Sequence, residues 1–154
     1  MKKIYIFSLI IFIIDFVSKI IIQKCFSLYE SIILIPHFLN LTYVKNNGAA
    51  FSMLSGNQLF LIFISILVLG GLFYYLKKEK LTNLKIIYYS LLIGGILGNL
   101  FDRIVYNSVI DFLDFKIFNY DAPVFNLADT FIVIGVLLII IENIGGLNGN
   151  KGRG

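Results

Sequence analysis

Chemistry that depends on cysteine, histidine or a phosphate loop has little to work with in this chain. Its single cysteine, Cys25, excludes an internal disulfide. Gln23-Lys24 before it are not the small residues of a lipid-attachment signal, so the thiol reads as packed at an interface. The one histidine, His37, follows Pro36 in a loop, and no H-E-x-x-H or Cys/His cluster exists, so zinc catalysis lacks a ligand set. There is no nucleotide-binding loop, because the glycines of 94–98 lie in an apolar run where phosphate is not expected. No cofactor and no metal is expected, and only a magnesium site built from aspartates stays open.

Charge is scarce as well. Charged residues make up 14% of the 154 residues and hydrophobic ones 58%, above the roughly 45–50% apolar content of soluble domains. With a mean hydropathy of +0.89, the chain reads as an integral membrane protein, one domain over 1–154. A hydrocarbon core about 30 Å thick needs roughly 20 residues per helix. Four stretches approach this, at 5–24, 58–76, 84–102 and 124–143, and predict an all-α membrane protein.

A net charge of +4 does not call for nucleic acid, because the basic residues sort by topology. Lys2, Lys3, Lys77, Lys78, Lys80, Lys85, Lys151 and Arg153 fall on one side, and Lys24, Lys45, Arg103 and Lys116 on the other. The positive-inside rule puts both termini in the cytoplasm and the loops 25–57 and 103–123 outside. The first span starts like a secretory signal, yet Asp15 and Lys19 interrupt it and no small-residue cleavage site follows, so it reads as retained. Phe38–Val44 in the first outer loop alternates and predicts a short strand, followed by a turn signal in Asn46-Asn-Gly-Ala-Ala-Phe51. Asn83 is a candidate helix cap, and the Gly/Asn-rich tail 145–154 is expected to fray.

The polar residues inside the spans collect at one depth. Asp15 and Lys19, spaced i,i+4, share a helix face and predict a buried ion pair. Ser18 and Lys19 point about 100° apart and make a poor nucleophile–base pair. Gly94-Gly95-Ile-Leu-Gly98 has the small-xxx-small spacing of close helix packing. Asn99, Asp102 and Arg103 then form a polar patch in which an Asp102–Arg103 network braces a site. The uninterrupted apolar run of the fourth span, 131–141, is only 11 residues. Reaching about 20 therefore draws in Asn126 and Asp129, about a turn below the outer surface.

A carboxylate at a helix centre in a bilayer costs roughly 2.5–3.5 kcal/mol on insertion scales, so it reads as a functional site with a partner. Asp111 is the natural partner of Asp129. It is a lone acid in Val-Ile-Asp-Phe, with Asp114 and Asp121 as nearby rivals, the latter in a turn beside Pro123. Two carboxylates about 4 Å apart repel by about 4 kcal/mol at an effective dielectric of 20, and so share one proton near neutrality. Such a pair can activate water and protonate a leaving amine.

Five blocks in order resemble the conserved segments of bacterial lipoprotein signal peptidase, signal peptidase II. They are Asp15-Phe-Val-Ser-Lys19, Asn46-Asn-Gly-Ala-Ala-Phe51, Gly94-Gly-Ile-Leu-Gly-Asn-Leu-Phe-Asp-Arg103, Val109-Ile-Asp-Phe112 and Phe125-Asn-Leu-Ala-Asp129. The one small departure is Asn47, where many relatives carry threonine. The resemblance implies an intramembrane aspartyl endopeptidase that needs no metal. It would remove the signal peptide from diacylglyceryl-modified prolipoproteins, cutting just before the lipidated cysteine. Asp111 and Asp129 would be the catalytic pair, with Asp15, Lys19, Asn46, Gly48, Gly98, Asn99, Asp102, Arg103, Asn126 and Ala128 shaping the site. It further implies a monomer among the phospholipids of the bacterial cytoplasmic membrane, a β-cradle on the outer surface, and a short helix in the second outer loop.

Two other classes fit less well. A channel or transporter would carry polar residues through both leaflets, whereas the inner halves of spans two and four stay apolar until Glu142. An assembly subunit would need only the packing glycines and ion pairs.

Overall fold

A computed structural model describes residues 1–48, 56–117 and 120–149. In chain order the elements are α1 (Lys2–Cys25), β1 (Ser31–Ile35), β2 (Leu39–Asn46), α2 (Gln58–Leu76), α3 (Asn83–Tyr106), β3 (Val109–Ile117), β4 (Tyr120–Asp121) and α4 (Leu127–Gly149). All four helices are long and apolar enough to cross a membrane.

Local chemistry sets their ends. Thr82, not Asn83, caps α3, its hydroxyl accepting the Lys85 N–H at 3.2 Å. Asn107 closes that helix in the left-handed region at φ 52°. The last helix starts at Leu127, three residues later than its composition predicts, because Asn126 and Asp129 make a reciprocal cap. Asn126 Oδ1 accepts the Asp129 N–H at 2.8 Å, and Asp129 Oδ2 accepts the Asn126 N–H at 3.3 Å. The helix also runs on to Gly149, through half of the tail expected to fray.

The hub is α3, on which α1, α2 and α4 all pack. Its glycines permit the approach: a Cβ on Gly94 would lie 2.7 Å from the Ile11 side chain and the Ser8 carbonyl of α1. Ile4, Leu69, Tyr88, Leu92 and Ile93 fill the core. The outward faces keep Ile6, Ile10, Phe63, Ile66, Val133 and Leu137 exposed, which is the pattern of helices solvated by lipid. At the pole away from the sheet, Glu142 accepts the Tyr88 hydroxyl at 2.6 Å.

The strands form one antiparallel sheet in the order β1-β2-β3-β4, with a bulge in β2 between Leu41 and Val44. Ile22 at the end of α1 packs with Tyr43, Ile110 and Phe112, seating the sheet on the helices. The strand expected at 38–44 is β2. Its partners are less legible, since β1 (Ser-Ile-Ile-Leu-Ile) has no alternation and β3 carries two aspartates. The second loop corrects the expected short helix. Among the described residues between α3 and α4 the chain is extended, because the β-branched and aromatic run Val109–Ile117 pairs with β2. Asp121, expected in a turn, pairs its backbone with Lys116 in the β3–β4 hairpin. Cys25 is exposed, not packed, as Ile22 takes the buried face of that turn. The end of the Asn46–Phe51 block, at 49–51, lies outside the described residues.

Candidate active site

The site forms where β3 meets the first turn of α4. Asp111, on β3, is 2% exposed, and Asp129 is the third residue of α4. What joins them is a short backbone bridge. The Phe125 carbonyl accepts the N–H groups of both Phe112 and Leu113 at 2.7 Å, and Phe125 N–H donates to Leu113 O at 2.9 Å. This bridge lays the start of α4 alongside the residue that follows Asp111. Both aspartates line one cavity of about 190 Å³ with Asn46, Asn99, Arg103, Val109, Pro123, Val124, Phe125, Ile132 and Val133.

Three asparagines hold the carboxylates. Asp111 accepts from Asn126 Nδ2 at 2.7 Å and from Asn46 Nδ2 at 2.9 Å. Asp129 Oδ1 accepts from Asn99 Nδ2 at 2.7 Å, and Asn126 Nδ2 also donates to Asn99 Oδ1 at 3.0 Å. Every carboxylate oxygen thus has one protein donor and keeps a lone pair for another partner. Burial, and next the charge of Asp129, push the Asp111 carboxyl up to about 7, against the pull of the Asn46 and Asn126 amides.

Behind the carboxylates lies a buried ionic cluster. Lys19 Nζ sits 2.7 Å from Asp15 Oδ2 and 2.9 Å from Asp102 Oδ2, and donates to Asn99 Oδ1 at 3.1 Å. The expected Asp15–Lys19 pair is present. The expected Asp102–Arg103 network is not, because neighbours on a helix diverge by about 100°. Asp102 turns toward α1, while Arg103 turns to the cavity and donates to the carbonyls of Asn99 (3.3 Å) and Gly48 (3.5 Å). Ser18 is likewise turned from a nucleophile's role beside Lys19, its hydroxyl donating to the Asp15 carbonyl at 2.6 Å. Ala128 is fully buried and its N–H donates to Asp15 Oδ1 at 2.8 Å. Gly48 N–H is held by Asn46 Oδ1 at 2.9 Å. At Gly98 a Cβ would collide with the Asp15 carboxylate.

The rival acid is elsewhere. Asp114 accepts the Thr42 hydroxyl at 2.9 Å and pairs with Lys116 at 3.1 Å. Among the described residues no three His, Cys, Asp or Glu side chains converge as a metal site. The structure therefore gathers Asp111, Asp129, Asn46, Asn99, Arg103 and Asn126 around one cavity, with Asp15, Lys19, Asp102, Gly98 and Ala128 behind it. The cavity's apolar wall, Val109, Pro123–Phe125, Ile132 and Val133, went unrecognised in the sequence. Apolar residues in an apolar chain carry no signal of their own.

A model of the family described as signal peptidase (SPase) II matches residues 7–145. The chain belongs to the signal peptidase II family. It is therefore a peptidase and a multi-pass bacterial membrane protein. Among its relatives, the lipoprotein signal peptidase of Staphylococcus carnosus is 44% identical over 148 residues, covering 92% of this chain and 93% of that one. The lipoprotein signal peptidase of Staphylococcus aureus is 45% identical over 135 residues, covering 87% and 83%. A solved structure described as a bacterial membrane enzyme superposes with a TM-score of 0.91 at 38% identity, covering all of this chain and 94% of that one. Another reaches 0.83 at 41% identity, covering 92% of each. The match to the signal peptidase II model runs from within α1 into α4, and so takes in both aspartates and every cavity residue.

Proposed function

We propose that this signal peptidase II cleaves diacylglyceryl-modified prolipoproteins just before the lipidated cysteine, with water activated between Asp111 and Asp129. The observation that carries the reading is the pair of aspartates on one cavity, each held by amide donors, while the other buried acids are committed to partners, Asp15 and Asp102 to Lys19 and Asp114 to Thr42 and Lys116. Near neutrality the coupled pair carries one proton. The ionised member takes a proton from water as the oxygen adds to the scissile carbonyl, and the protonated member stabilises the oxyanion. The captured proton passes to the amide nitrogen as the C–N bond breaks. A signal peptide with a new carboxyl end and a free cysteine amine result, and the pair again shares one proton.

Charge sorting supports an orientation with both termini in the cytoplasm and the sheet outside the cytoplasmic membrane. The site then opens at the outer leaflet, where a monomer meets a diacylglycerol anchor laterally among the phospholipids. The apolar cavity wall suits the lipid-proximal part of such a substrate.

The test uses purified protein in detergent with one precursor in lipidated and unlipidated forms, and mass spectrometry of the products. Cleavage of the lipidated form with cysteine as the new N-terminal residue is expected, and the unlipidated form should turn over at least tenfold more slowly. Equal turnover of both removes lipid recognition. A cut elsewhere removes the assigned bond.

The pH dependence has a definite sign. The Asp111 carboxyl is raised to about 7, so the proton that the pair must keep is lost as pH rises through that value. We expect kcat/KM to fall on the alkaline side with a midpoint near 7, and a profile flat to pH 9 contradicts the shared proton.

A further inference from the structure

The ionic cluster behind the aspartates has a symmetry that ion pairing does not require. Asp15 Oδ1 accepts the N–H of Ala128, the residue before Asp129, at 2.8 Å. Asp102 Oδ2 accepts the N–H of Ile110, the residue before Asp111, at 3.1 Å. Both carboxylates are tied to one ammonium, Lys19, which is 1% exposed. A third acceptor, Asn99 Oδ1 at 3.1 Å, uses its last proton.

That third contact also decides how Asn99 is turned. Its Oδ1 receives Lys19 and Asn126 Nδ2, so its own Nδ2 must face Asp129. Asn126 spends its second amide proton on Asp111. Continuous hydrogen bonds therefore run from Lys19 to both candidate catalytic carboxylates through side chains, and a second pair runs through backbone amides.

We propose that Lys19 is a positioning residue that sets the separation of Asp111 and Asp129, acting as a crossbar between Asp15 and Asp102. This inference rests on the aspartyl reading above. A buried cluster of this kind adds little to stability, since apolar replacement of a complete buried ion cluster is often neutral or stabilising. Its worth lies in placement, and a misplacement of about 1 Å in a catalytic group can lower the rate by about 100-fold.

The decisive variant is the double substitution Lys19→Met with Asp15→Asn. It preserves net charge, and the new amide oxygen at position 15 can still accept the Ala128 N–H, so both backbone ties stay while the crossbar and the cation beside Asp102 are lost. Measured per folded molecule on the lipidated precursor, kcat should fall about 100-fold with KM within threefold, and the alkaline limb of the pH profile should move. Parental kcat and an unmoved limb in folded protein overturn the proposal.

A second variant covers a double mutant that does not accumulate. Lys19→Met with Asp102→Asn also preserves net charge, and the amide oxygen at position 102 can still accept the Ile110 N–H. The same fall of about 100-fold in kcat with KM within threefold is expected, and parental kcat in folded protein overturns the proposal. Asp129→Asn separates the two ideas. Full activity in that control defeats the aspartyl reading itself, whereas a dead control with unaltered Lys19 variants defeats only the crossbar.

Discussion

Asp129→Asn is expected to lower cleavage of a lipidated precursor by about a thousandfold or more, in a protein that folds and purifies like its parent. The amide is nearly isosteric with the carboxyl, and its oxygen still accepts Asn99 Nδ2. The bond given up, from Asn126 N–H at 3.3 Å, is the longest of the four that hold the two carboxylates, so the donor facing a donor there costs toward the low end of about 1–3 kcal/mol. In the proposed mechanism the lost proton acceptor belongs to the chemical step, where general acid–base groups contribute roughly 10²–10⁴-fold. Asp111→Asn should have the same effect on rate with more damage to structure. Both Asp111 oxygens accept amide protons, so one donor of the new amide must face another donor, a mismatch of about 1–3 kcal/mol. Asp114→Asn serves as the control and should cleave at the parental rate. Retained cleavage in Asp129→Asn sinks the mechanism.

Gly98→Ala is the second large effect, and it comes from a single methyl group. The added Cβ collides with the Asp15 carboxylate and comes 3.3 Å from the Ala128 side chain. Either Asp15 leaves Lys19 or α4 moves off α3, and Ala128 directly precedes Asp129. Overpacking of this kind costs about 1–3 kcal/mol, and we expect a lower melting temperature in detergent with about a 100-fold loss of kcat. Gly70→Ala on α2 meets nothing within 4 Å and should leave both quantities unchanged. Parental melting and parental kcat in Gly98→Ala would show that the close approach carries no functional constraint.

Much of this architecture was legible because a bilayer makes sequence speak loudly. Four apolar runs became four helices, and Asp15 with Lys19, four residues or about one turn apart, became an ion pair at 2.7 Å. Asp111 and Asp129 stood out since an acid in such a chain needs a reason. The connections were harder. Pairing decides β1 and β3, and pairing partners lie up to 76 residues away, as with Leu39 and Phe115, where no local period reports them. Asp102 illustrates a different limit. Its nearest basic residue in sequence is Arg103, yet its partner is Lys19 on another helix, because direction around the helix outweighs adjacency. The role of Asn126, which caps α4 while donating to two other side chains, required the bridge from Phe125 to β3 before it could be seen.

That bridge also has a bearing on biosynthesis. A chain emerging from the ribosome completes α1 and α3 before any of α4 exists, so the lysine, its two carboxylates and Asp111 are made well ahead of Asp129. Asp129 reaches its partner only when the last helix enters the bilayer and Phe125 closes onto Leu113. Until then the nascent protein has half of the proposed pair. With Asp111 and Asp129 as the catalytic acids, the peptidase would stay inert until its own insertion is complete.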